Sequence, residues 1–354
     1  MGPTAATTEF PGRLRADLDE TLAPLEPIWR DLRGARLFLT GATGFFGTWL
    51  LSSLAWARQR LGAEVSLTIL TRDPTKARSA LTDAAGATLV GGDVRSFAFP
   101  DGEFSHVVHG ATAASAALNS NAPREMFDVI VEGTRHVLDF ADRARSGRLL
   151  FVSSGGVYGA QTVTHVREDD PSGPDPMNPA NAYHEGKRAA ELLCAIGAKG
   201  LVSARGFAYV APHLPLDIHF AIGNFIRDAL AGGPIRIGGD GTPYRSYMYG
   251  TDLAVWLWTL LVNGSERAAY NVGSDDGRPL REIADRVAAV SKGLGRDVEV
   301  HVAKQAPPNH VPSRYVPNVD RARALGLGLT VDLDEAIRRT IQFHRAAERL
   351  ESST

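Results

Sequence analysis

Thr40-Gly41-Ala42-Thr43-Gly44-Phe45-Phe46-Gly47 directly follows the apolar run Ala35-Arg36-Leu37-Phe38-Leu39. A short β-type run that ends in three glycines at three-residue spacing and opens an apolar helical pattern reads as strand, tight turn and helix. Each glycine has a task. Gly41 permits the turn, Gly44 lets backbone approach a pyrophosphate, and Gly47 lets the helix pack close against the strand. The new helix offers unpaired N–H groups and the positive end of its dipole to the phosphates. With 36 glycines in the chain, a glycine triplet alone says little. Its place between a strand and a helix is what points to dinucleotide binding.

Working outward from that turn, strand-like runs alternate with helical stretches. Val65–Leu70, Ala87–Val90, Ser105–His109, Arg148–Ser153 and Gly200–Arg205 read as further strands, with helices over Met126–Arg143 and Tyr183–Gly197. Alternation of this kind predicts an α/β fold, a doubly wound parallel Rossmann-type sheet with ligand at the C-terminal strand ends. After residue 210 the texture changes: Pro-, Gly- and Asn-containing loops separate helices over Phe220–Ala231, Asp252–Asn263, Leu280–Leu294 and Leu333–Ala347. The chain therefore divides into an N-terminal arm (1–33), a dinucleotide-binding domain (34–210), a smaller C-terminal lobe that is mainly substrate-binding (211–347) and a tail (348–354). The loop over 160–181 is long enough to be functional and is expected near the substrate. Leu14, Leu18, Leu22 and Leu25 line one helix face until Pro24 and Pro27 end the pattern, which suits a packing arm or an interface helix.

Composition narrows the class. A formal net charge of −2 gives no electrostatic ground for nucleic acid or an anionic membrane. No apolar run approaches the roughly 20 residues that span a bilayer, and charged residues interrupt any signal-like segment near the N-terminus. A cytoplasmic protein is the expectation. The single cysteine, Cys194, lies in an apolar helical setting as a small hydrophobe, and a Cys-cluster metal site is excluded.

Tyr183-His184-Glu185-Gly186-Lys187 opens a helix, so Tyr183 and Lys187 share a face. A nearby cation favours the phenolate and lowers the tyrosine pKa from about 10, which would let the phenol move a proton while a hydride moves to or from nicotinamide. The spacing alone also fits a solvated pair. Ser153-Ser154 at the end of the fifth strand shifts the balance, because a hydroxyl there reaches the same rim of the sheet.

Together with these residues, Gly92-Asp93-Val94, His109-Gly110-Ala111, Ser153-Ser154-Gly155-Gly156-Val157-Tyr158-Gly159, Gly239–Thr242 with Arg245, Tyr270–Gly273 and Leu325-Gly326-Leu327 follow in order. The chain resembles the extended short-chain dehydrogenase/reductases, in the nucleotide-sugar epimerase/dehydratase branch, over about residues 34–345. The resemblance implies Tyr183 as acid/base, Lys187 as its tuner and ribose contact, and Ser154 as holder of a substrate hydroxyl. It places the cofactor on Gly41, Thr43, Gly44, Phe45, Phe46, Gly47, Thr71, Arg72, Asp93 and Val94, with Asp93 against the adenine. Asn224, Arg245 and Arg314 would hold the diphosphate of a nucleotide sugar, the planar guanidinium forks suiting phosphate oxygens. Arg245 read without the resemblance is a surface ion pair. A homodimer through the helices around 116–142 and 183–197 follows by analogy.

Departures from the pattern bear on the reaction. The branch's 4,6-dehydratases carry Asp-Glu directly after the hydroxyl residue, and its UDP-glucuronate decarboxylases also place a glutamate there. This chain has Gly155-Gly156. The usual helix Asn is Ile130, and the Asn often following Arg-x-Phe is Ala208, for which Leu214–His219 could compensate. His219 reads as structural, and Trp256 and Trp258 as packing. Thr71 stands where NAD enzymes keep an acid, and Arg72 could pair with a 2′-phosphate, which favours NADP; Asp73, two residues late, leaves NAD open. The expected reaction is hydride transfer at C4 of a nucleotide sugar by an NDP-4-keto-hexose reductase. A 4-epimerase with retained NAD is the alternative, and a non-catalytic dinucleotide sensor would not need Tyr183, Lys187 and Ser154.

Overall fold

The computed structural model describes residues 12–112, 116–217 and 220–351. Its centre is a seven-stranded parallel sheet in the order β3-β2-β1-β4-β5-β6-β9. The strands are β1 Arg36–Thr40, β2 Ser66–Thr71, β3 Ala87–Gly91, β4 His106–His109, β5 Arg148–Ser154, β6 Leu201–Gly206 and, after two short strands described below, β9 Ala268–Val272. The first six begin and end within a residue of where the alternation puts them. The sheet reverses direction of winding between β1 and β4, and the crevice outside those two C-terminal ends is where such folds bind ligands.

Both faces of the sheet are covered, as apolar runs in a parallel sheet require. Leu37 and Leu39 of β1 and Leu150 and Val152 of β5 join one core; Phe38, Leu149 and Phe151 join the other. The first core is built on helix α1 Gly12–Thr21 and helix α2 Phe45–Leu61, the second on α3 Pro123–Arg143 and α4 Ala182–Gly197. Pro123 starts α3 at its first position, where its missing N–H costs nothing. Cys194 is fully buried on α4.

Leu14, Leu18, Leu22 and Leu25 are all buried, so the arm packs against the molecule. Beyond β6 come α5 Ala221–Ala231, β7 Ile235–Ile237, β8 Tyr244–Arg245 and α6 Gly250–Asn263. The last returns to pack on α2, and β9 completes the large sheet. β10 Arg278–Pro279, α7 Leu280–Gly293, β11 Val300–Val302, β12 Arg314–Tyr315 and α8 Leu333–Glu351 follow. β8 lies between β10 and β12 in a small sheet, and β7 pairs with β11. This smaller lobe sits over the C-terminal strand ends through Tyr315, as shown below. Among the described residues no helix is long and apolar enough to cross a membrane, and no cluster of His, Cys, Asp and Glu could hold a metal ion. Ile218 and His219 lie outside the described residues, as do 1–11 of the arm and 352–354 of the tail.

Candidate active site

Gly41 has φ +81°, and a Cβ there would lie 2.5 Å from the Gly110 carbonyl carbon, so the turns after β1 and β4 approach too closely for any side chain. A Cβ on Gly47 would lie 2.3 Å from the Ala42 Cα. The close packing that Gly47 permits is thus against the turn itself. Gly44 caps α2 with extended backbone, and its nearest neighbour in the Cβ direction is 3.5 Å away. Thr43 and Gly44 are exposed. The first-turn N–H groups of α2 therefore face open space, and this cradle fits a pyrophosphate.

Beneath the cradle runs a buried polar chain. The Ala111 N–H donates to Thr40 Oγ1 at 3.0 Å, and Thr40 Oγ1 meets His109 Nδ1 at 2.8 Å. His109 Nε2 meets Thr134 Oγ1 at 3.0 Å, and that hydroxyl donates to the Ile130 carbonyl at 2.7 Å. A carbonyl only accepts, so Nε2 must carry the proton and Nδ1 must accept from Thr40. Burial, with Lys187 nearby, pushes the His109 pKa down to about 3. His109 is a neutral structural tie between β1, β4 and α3.

At the end of β5, Ser154 Oγ accepts from the Gly156 N–H at 3.0 Å. Tyr183 lies close enough to the same hydroxyl for Ser154 to pull the phenol pKa down. One turn further along α4, Lys187 is buried, donates from Nζ to the Val152 carbonyl at 2.7 Å, and sits 4.9 Å from the Phe151 ring centre. Burial lowers its pKa to about 7. The three residues named from sequence do come together. The tyrosine pKa moves against expectation, however: burial raises it and only nearby Ser154 opposes this. The lysine charge is directed at strand β5 rather than at the phenol.

Gly155 and Gly156 leave room that other elements fill. A Cβ at 155 would lie 2.8 Å from Phe207 Cζ and 2.9 Å from the Tyr315 hydroxyl; one at 156 would lie 2.2 Å from His184 Cδ2. The Tyr315 hydroxyl donates to the Gly206 carbonyl at 3.4 Å and lies close enough to Ser154 for that residue to oppose the rise burial causes in its pKa. Sequence reasoning missed Tyr315 and His184. The glycine pair was the available signal, but it marks vacant volume without naming what enters it.

Just beyond β3, Asp93 is gripped by Arg95 through Nε at 2.8 Å and Nη2 at 2.9 Å, and these bonds hold its pKa below the usual value. Val94 packs on Gly133 of α3. Thr71 ends β2, and Asp73 accepts from the Thr75 and Lys76 N–H groups as a cap. Arg72 is exposed and close enough to Asp93 to lower its pKa. Phe45 and Phe46 pack against Tyr209.

In the lobe, Arg245 pairs in register with Tyr315, while Arg314 pairs with Tyr244 and stacks on its ring at 4.0 Å. Successive residues alternate faces, so the two arginines lie on opposite faces of the small sheet. Arg245 donates to the Tyr244 carbonyl at 2.7 Å and has no carboxylate partner among the described residues. Asn224 accepts from Arg227 at 3.0 Å. The 160–181 loop is tied to the lobe, the Val316 N–H donating to Gln161 Oε1 at 3.0 Å and the Asn318 N–H to the Val166 carbonyl at 2.8 Å.

Residues 37–273 match the NAD dependent epimerase/dehydratase family. UDP-glucuronic acid decarboxylase 1 of Danio rerio is 27% identical over 246 residues, 68% of this chain and 57% of that protein. The match thus spans little more than half of that relative's length. Among solved structures, an epimerase of Methanothermobacter thermautotrophicus superposes with a TM-score of 0.75 at 20% identity, covering 94% of this chain and 98% of that one. UDP-glucose 4-epimerase of Thermotoga maritima, solved with UDP-glucose, gives 0.72 at 18% identity, covering 88% and 99%. At such identities the structural likeness concerns the fold.

Proposed function

The chain belongs to the NAD dependent epimerase/dehydratase family, and on that premise we propose that it is an NDP-4-keto-hexose reductase, moving a hydride to C4 of a nucleotide sugar. The bound nicotinamide dinucleotide supplies the hydride. Ser154 holds the carbonyl oxygen, and the Tyr183 phenol, beside the same hydroxyl, delivers the proton that oxygen needs as the new C–H bond forms. A raised phenol pKa suits this direction, since the proton is present at neutral pH and is handed to a developing alkoxide. Lys187 holds the ribose and, through its bond to the Val152 carbonyl, fixes Tyr183 on its helix against the end of β5.

The observation that carries this reading is the Tyr183–Ser154 contact beside Gly155 and Gly156. It supports hydride transfer to a carbonyl without the carboxylates of the elimination and decarboxylation routes. NADP is the preferred cofactor in this reading, because Arg72 is exposed while Asp73 is engaged as a helix cap. Asn224 and Arg245 hold the diphosphate. Arg245 carries that task rather than Arg314, whose guanidinium is stacked on Tyr244. Two copies pair through α3 and α4, where Leu192 and Ile196 are 62% and 74% exposed one turn apart.

The test is nicotinamide absorbance after dTDP-, UDP-, GDP- and CDP-4-keto-6-deoxyhexoses are added with NADPH. Stoichiometric loss with one of them is expected. Loss with none overturns the reductase reading. Conversion of an NDP-hexose to its C4 epimer without net cofactor consumption makes the protein an epimerase instead.

A further inference from the structure

We propose that His184 is a second proton-transfer residue, acting at the sugar carbon bonded to the reacting carbonyl carbon. This rests on the nucleotide-sugar reading of the same site. A Cβ on Gly156 would lie 2.2 Å from His184 Cδ2 and 2.7 Å from Nε2, so the imidazole occupies the volume that a side chain at 156 would otherwise use. The ring stands nearly edge-on to Tyr183, with centroids 5.5 Å apart. It is half-buried, and burial is the only influence on its pKa, which is lowered. Among the described residues neither ring nitrogen has a hydrogen-bond partner. The imidazole, with its nitrogens free, thus stands beside the phenol, and in this reading it faces a carbon next to the one whose oxygen Ser154 and Tyr183 hold.

The chemistry follows from the carbonyl. A ketone acidifies hydrogens on the adjacent carbons. His184 Nε2 takes such a proton; the C–H electron pair becomes the enolate double bond, and the charge moves to the oxygen held by Ser154 and Tyr183. The imidazolium exchanges its proton with water and returns one to the carbon. No electrons leave the sugar, and the carbon is free to change configuration before reduction.

The experiment uses preformed dTDP-, UDP-, GDP- and CDP-4-keto-6-deoxyglucose with the enzyme and NADP+ in D2O, with deuterium read by mass spectrometry and NMR. Oxidised cofactor cannot reduce the ketone, so exchange is read apart from hydride transfer. Enzyme-dependent deuteration at one carbon next to C4 is expected. His184→Gln should slow it about 100-fold, and the paired change His184→Ser with Gly156→Glu, which vacates the ring volume and restores an acid, should recover part of it. Exchange no faster than in enzyme-free controls, or undiminished in His184→Gln, overturns the proposal. Reduction with NADPH on the same preparations separates the two readings. Reduction without exchange sinks this one, and exchange without reduction sinks the reductase.

Discussion

The Lys187 ammonium donates a 2.7 Å hydrogen bond to the carbonyl of Val152, two residues before Ser154 on the same strand. This bond ties α4 to β5 and so sets Tyr183, one turn earlier, against the Ser154 hydroxyl. It also keeps a cation where water is excluded, and its pKa falls from the ordinary lysine value to about 7. Between about 7 and 10.4 the unfolded chain binds this proton and the folded chain does not, so stability rises with pH across that window. Below it, the cost of the buried charge is present in full. Lys187→Met should therefore raise stability at pH 7 by about 2 kcal/mol, with the gain shrinking toward pH 10, while lowering kcat about 100-fold or more. Urea unfolding at both pH values and steady-state rates check this. A Met variant less stable than wild type at pH 7 would refute the charge argument.

Arg72 is exposed and Asp73 is engaged as a cap. If the guanidinium receives a 2′-phosphate, Arg72→Ala loses a charge-assisted bond, and NADPH affinity should drop about tenfold to a hundredfold. NADH affinity should stay as it was. Calorimetric titration with both cofactors decides the matter, and equal losses for the two would remove Arg72 from the phosphate site.

The glycine turn was legible because only glycine tolerates φ +81° at Gly41 and the backbone approach at Gly47. Tyr183 and Lys187 were legible because helix periodicity puts i and i+4 on one face. What the ammonium bonds was not, since Val152 belongs to another element, and the direction of the Tyr183 shift was misread for that reason. The strand β9 escaped notice because the lobe is inserted before it and its partner β6 is remote in sequence. The helix that precedes it, α6, is buried nearly all round, Trp256 and Trp258 included, and so lacks an amphipathic signature. Phe207, His184 and Tyr315 reach the glycine pair from three separate elements, which no local pattern connects.

His109 is buried and neutral, with a pKa near 3. In the unfolded chain it titrates near 6.5. Between those values the unfolded state binds the extra proton, so stability falls as pH drops through the window. One proton contributes a slope of about 1.4 kcal/mol per pH unit. His109→Gln should remove that slope between pH 6 and 4, at the expense of a weaker native state at pH 7. Denaturant unfolding across the range reads it; an unchanged slope would mean another group governs the acid limb.

Leu192 and Ile196 stand exposed on α4, at 62% and 74%. Two large apolar side chains one helical turn apart are an unusual pair to leave in water unless a partner covers them. Replacing both with glutamate should convert a dimer to a monomer without lowering the unfolding midpoint of the single chain. Sedimentation velocity gives the answer, and a wild-type chain that already sediments as a monomer at tens of micromolar would dismiss this surface.

The arm lies ahead of the family-matched segment, yet it carries one of the most buried ion pairs in the chain. Asp17 meets Arg339 at 3.2 Å, with side chains 3% and 7% exposed, and accepts from the Tyr249 hydroxyl at 2.6 Å. Arg339 also reaches Glu20 at 2.7 Å and pairs with Glu335. Removing the cation alone takes the Arg339 charge away from a nearly fully buried carboxylate, so Arg339→Met should cost about 3–5 kcal/mol. Adding Asp17→Leu removes that buried charge and should return most of the loss, because two well-packed apolar groups can replace a buried pair. The double-mutant cycle is read by urea unfolding, with trypsin cleavage of the arm as a local probe. If the double variant is as unstable as the single one, the loss comes from Glu20, Glu335 and Tyr249 losing a partner, and the Asp17 contact is not what holds the arm.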